Sequence, residues 1–285
     1  MGELVPLKKI IRSDLSQNQS AIIPGASLVS KCDATGDTVT CPECGKDITI
    51  LSITLGSQTK RIVPRCRCQV EKKEQWYKEL KERERKRRIE SLFPTWALGQ
   101  RFQECTFESF KPRPGTENAL KAAREFAASF PPADGIGLMF LGTWGNGKSH
   151  LAAAIVHAVK AQGHTAVFAS VPEVLSRIRA TYNDEARETE AQLMFGLREA
   201  KLTVLDDLGA EKKSNWTLEK VYELIDARYR ARRPTIVTSN LTPEELEEQI
   251  GPRAYDRLLE MCLPVVNRGT SYRREVAAKR MKGGA

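Results

Sequence analysis

The sequence predicts an α/β fold: a mostly parallel, five-stranded sheet covered by helices on both faces, preceded by a small cysteine-bearing module and a charged helical linker. Three observations predict it. Short apolar runs alternate with helical stretches from residue 101 onward, the first of these runs opens into a glycine-rich loop, and two close pairs of cysteines come before them all. Such alternation is the signature of parallel strands joined by crossover helices.

A chain of 285 residues has room for one large domain plus a smaller module, because single cores stop growing at about 250–300 residues. Its composition, 41% hydrophobic and 28% charged, is that of a globular protein and excludes wholesale disorder. The longest apolar runs, Ile136–Leu141 and Leu151–Val159, fall short of the roughly 20 residues a bilayer span needs. Met1–Ser20 mixes Lys8, Lys9 and Arg12 with Glu3 and Asp14, unlike a secretory signal, so no membrane partner and a cytoplasmic location are expected. The net charge of +9 favours a polyanionic partner such as nucleic acid, although a solvated basic surface accounts for it equally well.

Residues 1–30 form an N-terminal segment, and 31–70 hold the module. Four of the seven cysteines, Cys41, Cys44, Cys66 and Cys68, cluster there, while Cys32, Cys105 and Cys262 are scattered. In a reducing compartment clustered thiols point to metal. Cys41-Pro42-Glu43-Cys44-Gly45 is a zinc-knuckle turn; Cys66-Arg67-Cys68 is tighter than the usual second half, and Cys32 is an alternative ligand. Ile48, Ile50, Leu51, Ile53 and Leu55 between the pairs suit a small hairpin with too little core to fold unaided, which a metal staple would remedy. Four thiolates leave no open position, so the expected zinc is structural.

Residues 71–100 are the linker. Glu71–Glu90 contains nine Lys or Arg and six Glu, no Gly or Pro, and only Trp76, Tyr77, Leu80 and Ile89 as large apolar residues, which predicts an exposed helix. Pro94 and the loop Lys111–Gly115 then punctuate the chain, and a domain boundary is expected near residue 100. In residues 101–285 the strands are expected at Ile136–Gly142, Thr165–Ser170, Leu202–Asp206, Thr235–Ser239 and Leu263–Asn267. Helices are expected at Lys148–Gln162, stopped by Gly163, and at Leu218–Arg232.

Gly142-Thr143-Trp144-Gly145-Asn146-Gly147-Lys148-Ser149 is a complete phosphate-binding loop between a strand and a helix. Its backbone N–H groups can wrap a phosphate, Lys148 can reach the β and γ phosphates of ATP, and the Ser149 hydroxyl can coordinate magnesium. The helix opening there adds its positive dipole end. His150 follows directly, at the edge of the nucleotide site, and suits packing or capping better than metal binding.

Asp206 and Asp207 end an apolar strand, where the first would hold the magnesium shell and the second would polarise the attacking water; Glu211 is the alternative base. Asn240 ends the next strand, as a water-orienting amide or a plain turn residue. Arg253 and Arg257 lie four apart on one helix face. Either is an arginine finger for a neighbouring subunit's site or the partner of Asp256 or a nearby Glu.

In this order and spacing these motifs resemble the AAA+ ATPases of the DnaC and DnaI helicase-loader group, with the IstB-type transposition helpers as close relatives. Leu208-Gly209-Ala210-Glu211, Trp216 with the helix to Tyr229, and Thr270-Ser271-Tyr272-Arg273 extend the resemblance over residues 102 to 275. It implies an AAA+ P-loop NTPase core without a helical lid, self-association with ATP and Mg2+ between subunits, Arg257 as the finger with Arg253 in support, and Arg273 as a sensor of ATP or ADP. It also implies that the helix Val171–Tyr182, with Arg177 and Arg179, lines a channel for single-stranded DNA, a solvated helix face being the plain alternative; only Phe168 and Tyr182 supply aromatic rings nearby. Zinc modules ahead of the ATPase occur in loaders of the DnaI and phage type. The implied function is ATP-dependent loading of a hexameric, DnaB-type replicative helicase onto single-stranded DNA, in a bacterial or phage-infected cell. The alternative is a transposition helper that assembles on DNA and recruits a transposase.

Overall fold

Runs of five residues are long enough for strands and too short for helices, and five of them build the central sheet. The computed structural model describes residues 29–55, 58–94, 99–183 and 185–282; most of the N-terminal segment 1–30, and the side chains of Cys32 and Leu55, lie outside the described residues. The chain divides into two compact units after Lys81.

In the first unit β1 (Val29–Thr40), β2 (Asp47–Leu55) and β3 (Gln58–Ile62) form an antiparallel sheet in the order β1-β2-β3. The expected hairpin is thus a three-stranded meander. Ile48, Ile50, Leu51 and Ile53 all fall on its central strand, which pairs on both sides. Helix α1 (Arg67–Leu92) follows. It is polar almost all round and is supported by ladder pairs such as Arg67–Glu71 at 2.8 Å and Gln75–Glu79 at 2.9 Å.

The last part of α1 belongs to the second unit, where Ile89, Leu92 and the following Phe93 are buried in the core. For that reason the division falls well before residue 100. The unit continues with α2 (Gln100–Gln103), α3 (Glu117–Ala128), β4 (Gly137–Leu141), α4 (Lys148–Ala161), β5 (Ala166–Ser170), α5 (Val171–Ala180) and α6 (Glu190–Glu199). Then come β6 (Leu202–Asp206), α7 (Asn215–Arg230), β7 (Thr235–Ser239), α8 (Pro243–Ile250), α9 (Pro252–Met261), β8 (Cys262–Val266) and α10 (Tyr272–Lys282). The sheet is parallel throughout, in the order β5-β6-β7-β4-β8.

The two-residue repeat of a strand sorts its side chains between two apolar layers. Leu138, Phe140, Val204 and Ile236 face a layer with Leu151, Ile155 and Val159 of α4; Met139, Leu141, Leu205 and Val237 face one with Leu175, Leu193 and Leu224 of the other helices. Side-chain capping boxes start α6 (Thr189 with Gln192), α7 (Ser214 with Thr217) and α8 (Thr242 with Glu245). Arg228 is fully buried among oxygens, donating to the carbonyls of Leu197, Ala200 and Pro234 and to Thr235 Oγ1. It ties the end of α6 to α7 and β7. Among the described residues no helix is long and apolar enough to cross a membrane.

Candidate nucleotide site and cysteine cluster

Strand β4 is flanked by β7 and β8, so its C-terminal end, where the phosphate loop starts, abuts the ends of both. The acidic strand β6 lies one place further out, beyond β7, rather than directly beside β4. This order puts the end of β7 between the loop and the acids.

All three glycines of the loop have positive φ and no room for a Cβ, and two of them show why. Gly142 adopts φ +140°, and a Cβ there would sit 2.2 Å from the Asn267 carbonyl oxygen; Gly147 adopts φ +102°, where a Cβ would press on the Phe110 ring. Asn146 and Asn267 fasten the loop to the end of β8 reciprocally: Asn146 Nδ2 donates to Asn267 O at 2.7 Å and Asn267 Nδ2 donates to Asn146 O at 3.2 Å. Tyr272 N–H donates to Gly145 O at 2.9 Å, and Arg113 Nη2 to Asn146 O at 3.0 Å, with the Arg113 guanidinium stacked 5.1 Å from the Tyr272 ring centre.

Lys148 Nζ donates to Asn240 Oδ1 at 2.8 Å and to the carbonyls of Gly142 and Thr143 at 2.7 and 2.8 Å. Burial lowers its pKa to about 8, against the raising influence of Asp207 and Asp206. Asn240 Nδ2 in turn donates to Asp207 Oδ1 at 3.1 Å. One amide therefore bridges the lysine and the second acid. Asp207 has φ +53°, a left-handed conformation uncommon for a residue with a side chain and of the strained kind that clusters at functional sites.

Asp206 is buried, and burial raises its carboxyl pKa to about 6 while hydrogen bonds from Thr238 and Ser149 pull it back. Ser149 lies in the first turn of α4 and Asp206 ends β6, and both carry oxygen donors of the kind magnesium takes. Glu211 accepts from the Gly209 N–H at 2.9 Å, inside its own turn, and does not line the pocket. The pocket wall includes Trp144 through His150, Asp207, Asn240, Tyr272 and Arg273. His150 Nε2 meets the Thr106 carbonyl at 2.8 Å, the packing role expected of it. Trp144 is 69% exposed at the pocket's rim.

Neither finger candidate lines this chain's pocket. Arg257 Nε donates to Asp226 Oδ1 at 2.9 Å, so its ion-pair partner is on α7 and not the Asp256 or Glu considered from sequence. Arg253 is exposed one turn earlier. The two arginines on α5 also differ. Arg177 is held by Glu188, donates to the Leu92 carbonyl at 2.7 Å and stacks on Phe93, whereas exposed Arg179 lies 4.6 Å from the centre of the Trp216 ring. Phe168 is buried against Phe102, but Trp216 Nε1 donates to the hydroxyl of Tyr182, which is 54% exposed. Sequence reading missed Trp216 as an aromatic neighbour because α5 and α7 are far apart along the chain.

The sulfur atoms of Cys41, Cys44, Cys66 and Cys68 all lie within 4.8 Å of one another, with Cys41–Cys68 at 3.7 Å and Cys44–Cys66 at 3.5 Å. A tetrahedron with Zn–S bonds of about 2.3 Å has edges of about 3.8 Å, so the donor set fits zinc. Backbone N–H groups of Glu43 and Cys44 lower the Cys41 thiol to about 7, while Cys68 is raised, chiefly by burial. The Cys66–Cys68 pair holds its geometry despite the tight spacing because Cys66 precedes α1 and Cys68 lies in its first turn.

Thr238, Asn267 and Arg113 went unread in the sequence. Thr238 is one of three hydroxyl residues in the fully buried strand β7, with Thr235 and Ser239, so nothing singled it out; Arg113 gave no signal beyond its proline-flanked loop.

Residues 78–280 match the family described as IstB-like ATP binding protein. The replicative helicase loader DnaC of Escherichia coli K12 is 32% identical over 181 residues, covering 62% of this chain and 72% of that protein. The solved structure of a DnaC helicase loader superposes with a TM-score of 0.54 at 26% identity, over 60% of this chain and all of that one. A DnaI structure, at 22% identity over 59% of this chain and 93% of its own, shares the fold with a TM-score of 0.51. With the phosphate loop, the two acids and the bridging asparagine assembled at the end of one parallel sheet, the chain belongs to the IstB-like ATP binding protein family, as an AAA+ protein of the DnaC-like helicase-loader type.

Proposed function

We propose that this protein loads a hexameric, DnaB-type replicative helicase onto single-stranded DNA, with ATP binding and hydrolysis at a subunit interface as the switch. The observation that carries the reading is the bridge from Lys148 through Asn240 to Asp207, in a chain 32% identical to a named replicative helicase loader over 72% of that loader.

In this reading Lys148 exchanges its carbonyl acceptors for β and γ phosphate oxygens, and Asp207 and Asn240 orient and polarise the attacking water. Ser149 and Asp206 hold magnesium, which would neutralise charge developing between the β and γ phosphates. Arg273, at the pocket wall, reads the nucleotide state. Arg257 serves the pocket of a neighbouring copy, which is consistent with its absence from the wall of its own. Arg179, Trp216 and Tyr182 offer a cation beside aromatic faces, the chemistry of sequence-tolerant single-strand binding. Zinc holds the four cysteines, and the module they staple contacts the helicase. A cytoplasmic location follows from this role.

The test is capture of a DnaB-type helicase by the full chain with a non-hydrolysable ATP analogue, followed by transfer of that helicase to single-stranded DNA after ATP is supplied. Nucleotide-dependent capture and release is the expected result. Failure to bind the helicase overturns the reading, and assembly on duplex DNA without it favours the transposition-helper alternative.

A further inference from the structure

Tyr222, Asp226 and Tyr229 occur at positions i, i+4 and i+7 of α7 and therefore share one face of that helix. The Arg257 side chain on α9 lies across this face. Its guanidinium carbon is 5.0 Å from the Tyr222 ring centre and 5.5 Å from that of Tyr229, distances at which a cation is attracted to a ring face. Tyr229 is itself fixed by a 2.7 Å hydrogen bond from its hydroxyl to Glu260.

The guanidinium is anchored at two of its three nitrogens. Nε donates to Asp226 Oδ1 at 2.9 Å, and Nη1 donates to the Arg253 carbonyl one turn back at 2.9 Å. Nη2 has no partner among the described residues, and the Arg257 side chain remains 26% exposed against 13% for Asp226. Nη2 is thus the nitrogen left unpaired in a side chain that is partly exposed. The second oxygen of Asp226 is held by Arg230 at 2.7 Å, which keeps the carboxylate from rotating away.

We infer that Asp226, with the rings of Tyr222 and Tyr229, is a positioning device that holds Arg257 with its unpaired Nη2 available to the phosphates bound by an adjacent copy. This rests on the proposed intersubunit finger and adds the residues that make it effective. A free arginine samples many rotamers, and each must be frozen before a second subunit's nucleotide can use it. An arginine held by Nε, Nη1 and two aromatic faces arrives with that ordering complete and still offers N–H donors in a planar fork.

The experiment compares full-length wild type with Arg257→Ala, Asp226→Ala, Asp226→Asn and the Asp226→Ala/Arg257→Ala double variant. Steady-state ATP turnover is followed as protein concentration is raised through assembly, with ATP-analogue affinity and thermal unfolding measured alongside. Asp226→Ala should lower turnover in assemblies about 10- to 100-fold, the scale of misplacing a reacting group, while leaving nucleotide affinity within about twofold. Asp226→Asn keeps an acceptor for Nε and should lose less.

Two results separate positioning from structural damage. The double variant should turn over no more slowly than Arg257→Ala alone. Mixing Asp226→Ala chains with Lys148→Ala chains should restore hydrolysis, because the second chain supplies a well-held finger to the intact pocket of the first. Normal turnover in Arg257→Ala would overturn the finger and this inference together. A low rate in Arg257→Ala with a normal rate in Asp226→Ala, or no recovery on mixing, would overturn the positioning role alone.

Discussion

The hydroxyl of Thr238 donates to Asp206 Oδ1 at 2.6 Å. The Thr238 hydroxyl oxygen also accepts the backbone N–H of Asp207 at 3.0 Å, so one threonine on β7 fixes both acids at the end of β6. Thr238→Val keeps the volume and removes both bonds, leaving a buried N–H without its acceptor. Stability should fall by roughly 1–3 kcal/mol, and ATP turnover should fall with it as Asp207 loses its anchor. Thermal unfolding and steady-state rates check this, with Thr238→Ser as the variant that retains both; wild-type values in Thr238→Val would remove the threonine from the site's design.

Asp206 gives a pH dependence with a defined sign. Burial lifts its carboxyl to about 6 in the folded protein, above the ordinary value of 3.8. The fold therefore favours the neutral acid: no penalty exists below the ordinary value, and the penalty grows as pH rises and is complete above about 6. Asp206→Asn should accordingly stabilise the protein free of magnesium and nucleotide at about pH 7.5, by up to about 3 kcal/mol, and by nothing near pH 3.5. Denaturant unfolding at both pH values measures the difference, and a gain independent of pH would show that ionisation of Asp206 is not what costs stability. The same variant should lose magnesium-dependent turnover, a trade of stability for activity common at catalytic sites.

Local chemistry is legible in the sequence alone. Gly142 through Ser149, Asp206, Asp207 and Asn240 lie at strand ends, where periodicity and composition speak directly, and the four zinc-type cysteines declare themselves by spacing. What was not legible depends on contacts between distant segments. Asn146 and Asn267 are 121 residues apart yet bond reciprocally, and nothing in either segment announces the other. Arg177 and Arg179 look equivalent in sequence, and only the fold shows that one is locked to Glu188 and Phe93 while the other rests on Trp216. The placement of β7 between β4 and β6 is likewise a matter of topology, which alternation of strands and helices leaves open.

The cysteine cluster yields a prediction about metal removal. Purified protein should carry about one zinc per chain. Because the first unit's β3 is exposed along its whole length and a module this short buries little apolar surface, folding there should depend on the metal. Chelation under non-denaturing conditions should expose residues 29–66 to protease while ATP binding by the second unit persists. Cys44→Ser should reproduce this without chelator. Retained protease resistance in a zinc-free chain would mean that the sheet holds itself together.

Arg177 and Arg179 should separate cleanly in DNA binding, since their surroundings differ. Arg179 is exposed above Trp216, whose N–H is held by the Tyr182 hydroxyl, so a base could stack on these rings while the guanidinium meets the backbone. Trp216→Ala should weaken single-stranded DNA binding by roughly 1–3 kcal/mol. Arg179→Ala should weaken it with little regard to sequence and reduce the slope of log affinity against log salt by about 0.7, the change for one lost phosphate contact on a single strand. Arg177→Ala removes an ion pair to Glu188 and a bond to the Leu92 carbonyl, so it should lower thermal stability and leave the salt slope unchanged. A salt slope that responds to Arg177→Ala and ignores Arg179→Ala would contradict this placement, because it would require a guanidinium already bonded within the chain to be the one that displaces counterions.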